Sequence, residues 1–197
     1  NYGAGEDIYG DISDLTFQNN EVRGGGIYLN ANQRTLKNIF ITSNSFINTG
    51  DAIQIGGGGY GPRLHSVSIA DNSFVSGSRG IIISTIYGAD YSADSTKTVN
   101  VRGNTIAKMS SDPLVVEWVG GGSGGVNLIV EGHWIFQNKG VIRVGGVTNG
   151  QNSFSRNFVQ GSRMVIDGNS SYYPTGWKIN ENAFSFSVST IPCMVIK

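Results

Sequence analysis

The chain has little of what most compact catalytic centres are made from. Its single cysteine, Cys193, excludes an intramolecular disulfide framework and a cysteine-based zinc site. The two histidines, His65 and His133, lack a second histidine at ligand spacing, which argues against a histidine metal centre and against Ser–His–Asp catalysis. Charged residues make up 14% of 197 positions, against about 25% in an average domain. Fourteen Lys and Arg balance 14 Asp and Glu. A nucleic-acid backbone or an anionic bilayer therefore has no basic excess to select. No apolar run approaches the ~18 residues of a membrane-spanning helix, and the start, Asn1 to Gly5, has neither a basic n-region nor an apolar h-region. What abounds is small and turn-forming: 29 Gly, 22 Ser and 19 Asn. Hydrophobic content is still 39%, so this is a folding chain of single-domain length rather than a linker.

An internal repeat organises it. The pattern apolar-x-x-Asn-x-apolar occurs at Phe17, Asn20 and Val22, then at Ile41, Asn44 and Phe46. It returns around Asn72, Asn104, Asn157 and Asn182, with His133 taking the central place between Val130 and Ile135. The steps between centres are 24, 28, 32, 29, 24 and 25 residues. A second apolar pair follows each centre: Ile27 and Leu29, Ile53 and Ile55, Ile81 and Ile83, Leu114 and Val116, Ile142 and Val144. The sixth unit is irregular at Ile166 and Gly168, and the seventh offers Ile191 and Cys193, which places Cys193 in an inward, core register. Period-two alternation rich in β-branched residues means short strands, and no segment sustains a helical period.

Propeller blades need about 40 residues each, and leucine-rich repeats need a leucine pattern that is missing. The units fit coils of a parallel β-helix, in which equivalent residues stack ~4.8 Å apart. The repeated Asn is then expected at a tight bend, taking the left-handed conformation, with its amide bonded to those above and below. On these residues the chain resembles the right-handed single-stranded β-helix proteins of the pectate-lyase-like class, and most closely the bacteriophage tailspikes. The resemblance implies an all-β solenoid of about seven coils, one domain over 1–197 with coils beginning near residue 11. It also implies a section of a longer fibre, an extracellular place on the virion surface, and a homotrimer. Its partner would be a bacterial surface polysaccharide, capsule or O-antigen, with no nucleic acid, no membrane insertion, no cofactor and no resident metal.

Three insertions follow the second strand of coils two to four: Gly56 to Pro62, Thr85 to Lys97, and Gly120 to Gly125. Insertions on one face of a solenoid often mark its binding face, though neutral loop growth is equally open. The Gly56-Gly58-Gly61 and Gly120-Gly122-Gly125 strings match G-x-G-x-x-G but open no helix, so they are not dinucleotide sites. Registered on the central Asn, Asp51, Arg79 and Asp112 stack in successive coils, and Asp51 and Asp112 lie about 9.6 Å apart in backbone. One reading is a structural ion-pair ladder. The other is a sugar cleft with Asp51, Asp112 and Glu117 as acid–base candidates for glycoside hydrolysis. Arg79 and Arg143 would then hold anionic groups, and Tyr60, Tyr87, Tyr91 and Trp118 would stack on sugar faces. Asp167 lies near the same row, and Tyr172 and Tyr173 read as structural. Two alternatives stay open: a uronate lyase, with calcium held by Asp51 and Asp112, and a non-catalytic stalk or receptor-binding solenoid.

Overall fold

Each repeat unit turns three corners, and so contributes three strands. The computed structural model describes residues 11–30, 35–56, 63–87, 98–121, 127–145, 152–167, 177–186 and 192–196. Among them all regular structure is strand, and the strands of neighbouring turns pair in parallel. The first sheet has eight strands and runs from Ile12–Ser13 through Thr35–Thr42, Arg63–Ala70 and Thr98–Arg102 to Trp177–Asn180. The second has seven, from Glu21–Arg23 through Ser73–Gly77 and Trp134–Phe136 to Ala183–Ser185. The third also has seven, from Ile27–Leu29 through Asp51–Ile55, Arg79–Tyr87 and Leu114–Gly121 to Met194–Ile196. This is a parallel β-solenoid.

The inward columns are those of the repeat. Phe17, Ile41, Ile69, Val101, Val130, Phe154 and Ile179 follow one another in the first sheet, and Ile27, Ile53, Ile81, Leu114, Ile142, Met164 and Met194 in the third. Phe46 and Phe74 stack in the second sheet with centroids 5.0 Å apart. From the Thr35–Thr42 rung to the Met164–Asp167 rung these side chains are fully enclosed, whereas Phe17, Val22, Ile179, Phe184 and Met194 at the two ends are only partly buried. About five turns are therefore closed, slightly fewer than the repeat count of about seven, because an end rung has a neighbour on one side only.

The central Asn column stands at the corner between the first and second sheets. The Asn44 side-chain oxygen accepts from the backbone N–H and the amide of Asn20, at 2.9 and 3.1 Å. Asn72 does the same for Asn44, Asn104 for Asn72, and Asn182 for Asn157, all at 2.9–3.0 Å. Each amide also donates to a carbonyl of the preceding turn: Asn44 to Phe17, Asn72 to Ile41, Asn104 to Ile69 and Asn182 to Phe154, at 2.8–2.9 Å. Corner backbone groups that no sheet can pair are satisfied this way, which burial requires.

Two expectations need correcting. The ladder residues are not left-handed; the residue before each one is. Asn19, Ser43, Asp71, Arg156 and Glu181 have φ of 55–58°, and Gly103 and Gly132 have 61° and 70°. The corner needs one residue to reverse the chain and a different one to aim an amide inward. Cys193 is also not in the core. It is exposed, and the residue of the last strand that packs against the core is Met194, in register with Met164, while Ile196 pairs with Ile166 but is 73% exposed. Register in that turn is set by strand pairing, and it falls three residues beyond the spacing guess.

Replacing Asn72 by Leu keeps the branched shape but strands the Asn44 N–H, one hydrogen of the Asn44 side-chain amide and the Ile41 carbonyl. At 1–3 kcal/mol for each buried unpaired group, the loss should be about 3 kcal/mol or more. The outward Ser73→Ala should stay within about 0.5 kcal/mol. Urea unfolding of both variants checks this, and equal midpoints would contradict the role given to the ladder.

Candidate functional site

The outer face of the third sheet carries the charged residues singled out by register. Asp51 opens its strand beside Arg79, which opens the next. Asp112 follows on the third rung, since Ile81 pairs with Leu114 and the Ser111 N–H donates to the Ser78 carbonyl at 2.9 Å. The Arg79 guanidinium grips Asp51 as a two-pronged fork, Nε to Oδ1 at 2.8 Å and Nη2 to Oδ2 at 2.5 Å. Asp112 reaches onward instead: its Oδ2 accepts from Arg143 Nε at 2.6 Å, and its Oδ1 from the Val141 N–H at 2.8 Å. Gly140 permits that approach, because a Cβ there would lie 2.4 Å from both the backbone nitrogen and the Oδ1 of Asp112.

Asp51 and Asp112 thus share one column with Arg79 between them, as their register implies, and both oxygens of each carboxylate are engaged. The Asp112 and Asp51 side chains are 18% and 29% exposed, their arginines 41% and 38%. Pairs this exposed contribute at most about 1 kcal/mol each. The same device recurs elsewhere on the solenoid, where Glu131 lies between Arg102 at 3.0 Å and Arg156 at 2.5 Å. Ion pairing between turns is a habit of this fold. It is not by itself a mark of chemistry.

Glu117 does not join that column. It pairs in register with Ser84, three residues past Leu114 and five past Asp112, so about 16 Å further along the chain than the column. The side chains of Glu117, Trp118, Tyr87 and Asp167 lie outside the described residues, as do Tyr60, Tyr91, Tyr172 and Tyr173 entirely. The strands that precede the three insertions, Asp51–Ile55, Arg79–Tyr87 and Leu114–Gly121, are consecutive in the third sheet. Between the charged residues, Ile82, Val115 and Val165 point away from the core and are nevertheless 3–5% exposed. Among the described residues no three His, Cys, Asp or Glu side chains gather as a metal site.

A feature passed over in the sequence lies on the second sheet. Trp134 is 61% exposed and tilts over Phe158, with ring centroids 5.3 Å apart. Alternation around the inward Ile135 was the available signal, and it points Trp134 outward whatever the insertions do.

His133, the variant member of the ladder, is fully buried. Its Nδ1 accepts from the Asn104 N–H at 3.1 Å, its Nε2 donates to the Val101 carbonyl at 3.0 Å, and its own N–H donates to Asn157 Oδ1 at 3.0 Å. Imidazole therefore replaces the amide with one acceptor and one donor, in the neutral Nε2–H tautomer. Burial pushes its pKa from 6.5 down to about 4, against weaker opposing effects from the two backbone bonds and from the Glu131 carboxylate. Its place is structural.

Comparison with protein-family models, with curated proteins and with solved structures found no match to this chain.

The His133 pKa has a definite consequence for stability. Above pH 6.5 the folded and unfolded states are both neutral there, and stability is complete. As pH falls towards 4 the unfolded chain binds a proton that the folded chain refuses, so stability drops by up to about 3 kcal/mol. His133→Asn should remove this part of the acid sensitivity while keeping the ladder. Urea midpoints at pH 7.5 and 4.5 for both chains test it. An equal acid shift in the two would contradict it.

Proposed function

We propose that this solenoid is a tailspike-like protein that binds a bacterial surface polysaccharide along the outer face of the third sheet, and cleaves it by glycoside hydrolysis. The observation that carries the reading is that the three strands preceding the insertions, Asp51–Ile55, Arg79–Tyr87 and Leu114–Gly121, are consecutive in the third sheet, beside the outward column of Asp51, Arg79 and Asp112. A flat sheet that repeats donors and acceptors at a fixed ~4.8 Å step suits an extended, hydroxyl-rich chain better than a compact metabolite. Arginine beside carboxylate also suits acidic sugars. In this reading Asp51, Asp112 and Glu117 supply the carboxyl groups, one protonating the glycosidic oxygen and another activating water. The same reading places the protein outside the cell, on a phage tail, as a homotrimer.

Incubation with a panel of capsular and O-antigen polysaccharides, followed by fragment masses, tests this. Hydrolysis products are expected from at least one glycan. Glu117→Gln, Asp51→Asn or Asp112→Asn should then lower turnover by about 10²-fold or more while binding persists. Arg79→Ala should weaken binding of an acidic glycan, less so at high salt. Unsaturated fragments would mean a lyase, intact bound glycan a receptor-binding solenoid, and no binding at all would remove the proposal.

A further inference from the structure

We infer a second glycan-binding surface, a stacking shelf for neutral sugars built on Trp134 and Phe158 at the outer face of the second sheet. It goes beyond the third-sheet reading and stands without it. Ile135 is fully buried, so its strand neighbours Trp134 and Phe136 face outward. A lone exposed aromatic would need no explanation. Trp134 is not alone. Phe158 is its register partner on the next rung, with the rings 40° apart. Along the other direction its row continues through Thr105, Ser73 and Ser45, all part-exposed. The parallel row two residues on reads Ile47, Val75, Ala107, Phe136 and Gln160.

These ten positions include no formal charge. Aromatic faces beside a file of hydroxyls match the two sides of a pyranose, whose C–H face stacks on a ring while its rim hydroxyls take hydrogen bonds. The absence of charge favours a neutral sugar over an acidic one. Size favours a sugar over a protein: two rows over five rungs cover about 24 Å by 7 Å, under a quarter of the ~800 Å² that each partner buries in a standard interface. The backbone under the shelf is fixed in advance. The Trp134 backbone N–H donates to the Asn104 carbonyl at 3.0 Å, and His133 before it is locked into the corner ladder. Little backbone freedom therefore remains to be lost on binding.

The test titrates the full chain with neutral hexasaccharides of glucose, galactose and mannose, followed by tryptophan fluorescence and by calorimetry. Binding of at least one is expected, weakened tenfold or more by Trp134→Ala and partly kept by Trp134→Tyr. Tyr28→Ala, which removes an aromatic 47% exposed on the third sheet, should leave it unchanged. An unaltered thermal midpoint in Trp134→Ala shows that the fold is intact. No binding by any of the three sugars overturns the inference, as does equal binding by the Trp134→Ala chain. Sugar-independent self-association that Trp134→Ala abolishes overturns it too, since the face would then be a protein interface. Acidic-glycan binding lost in Arg79→Ala but kept in Trp134→Ala, with no neutral-sugar binding, would sink the shelf and leave the third-sheet reading standing.

Discussion

A buried amide at a corner must be paired on every side, and the rest of this solenoid follows from how that is done. Between the first and second sheets the backbone leaves strand geometry, so its polar groups lose their ladder partners. The Asn44, Asn72, Asn104 and Asn157 side chains replace those partners, each joining one turn to the next. Leaving such groups unpaired costs more than making any one bond gains. The column therefore acts chiefly as a penalty on every other register. A slip of one residue would turn Ile81 and Ile83 out and Ile82 in, and would break an amide contact in the same move.

Register, once fixed, decides what the surface shows. Asp51 meets Arg79 because both stand two residues before an inward isoleucine, Ile53 or Ile81. Trp134 meets Phe158 because both precede inward residues of the second sheet, Ile135 and Val159. The outer faces are read-outs of one internal alignment, and the interior limits what they can become. At the corner even a substitution as large as His133 is accepted, because its two ring nitrogens reproduce one acceptor and one donor. It holds only while the ring is neutral: a proton on Nδ1 would face the Asn104 N–H, donor against donor.

Much of this was legible in the sequence, for a local reason. The apolar-x-x-Asn-x-apolar pattern lies within one corner, so spacing alone located the ladder and the inward columns beside it. The column of Asp51, Arg79 and Asp112 followed from the same count. Other features were less legible because they depend on more than one turn or on no fixed side chain. The left-handed corner residue is Asn19, Ser43, Asp71, Gly103, Gly132, Arg156 or Glu181 in successive units, a set without a common chemistry. Arg143 pairs with Asp112 obliquely, from the next turn and further along the strand, which a column count does not reach. Cys193 was misplaced because the last turn breaks the spacing after Phe184, and only pairing with Met164–Asp167 shows that Met194 takes the core position. Trp134 carries no signal in the sequence beyond strand alternation, and its pairing with Phe158 comes from the next turn, which spacing within one corner does not reach.

Hydrogen exchange of the asparagine side-chain amides, followed by NMR in the intact chain, tests the central claim most directly. The Asn44 and Asn72 amides should exchange only through unfolding, as slowly as the buried backbone N–H groups beside them, while the amide of exposed Asn180 exchanges freely. Free exchange at Asn44 and Asn72, with their backbone neighbours still protected, would contradict it: the turns would then be held by strand pairing and apolar packing, without the amide column.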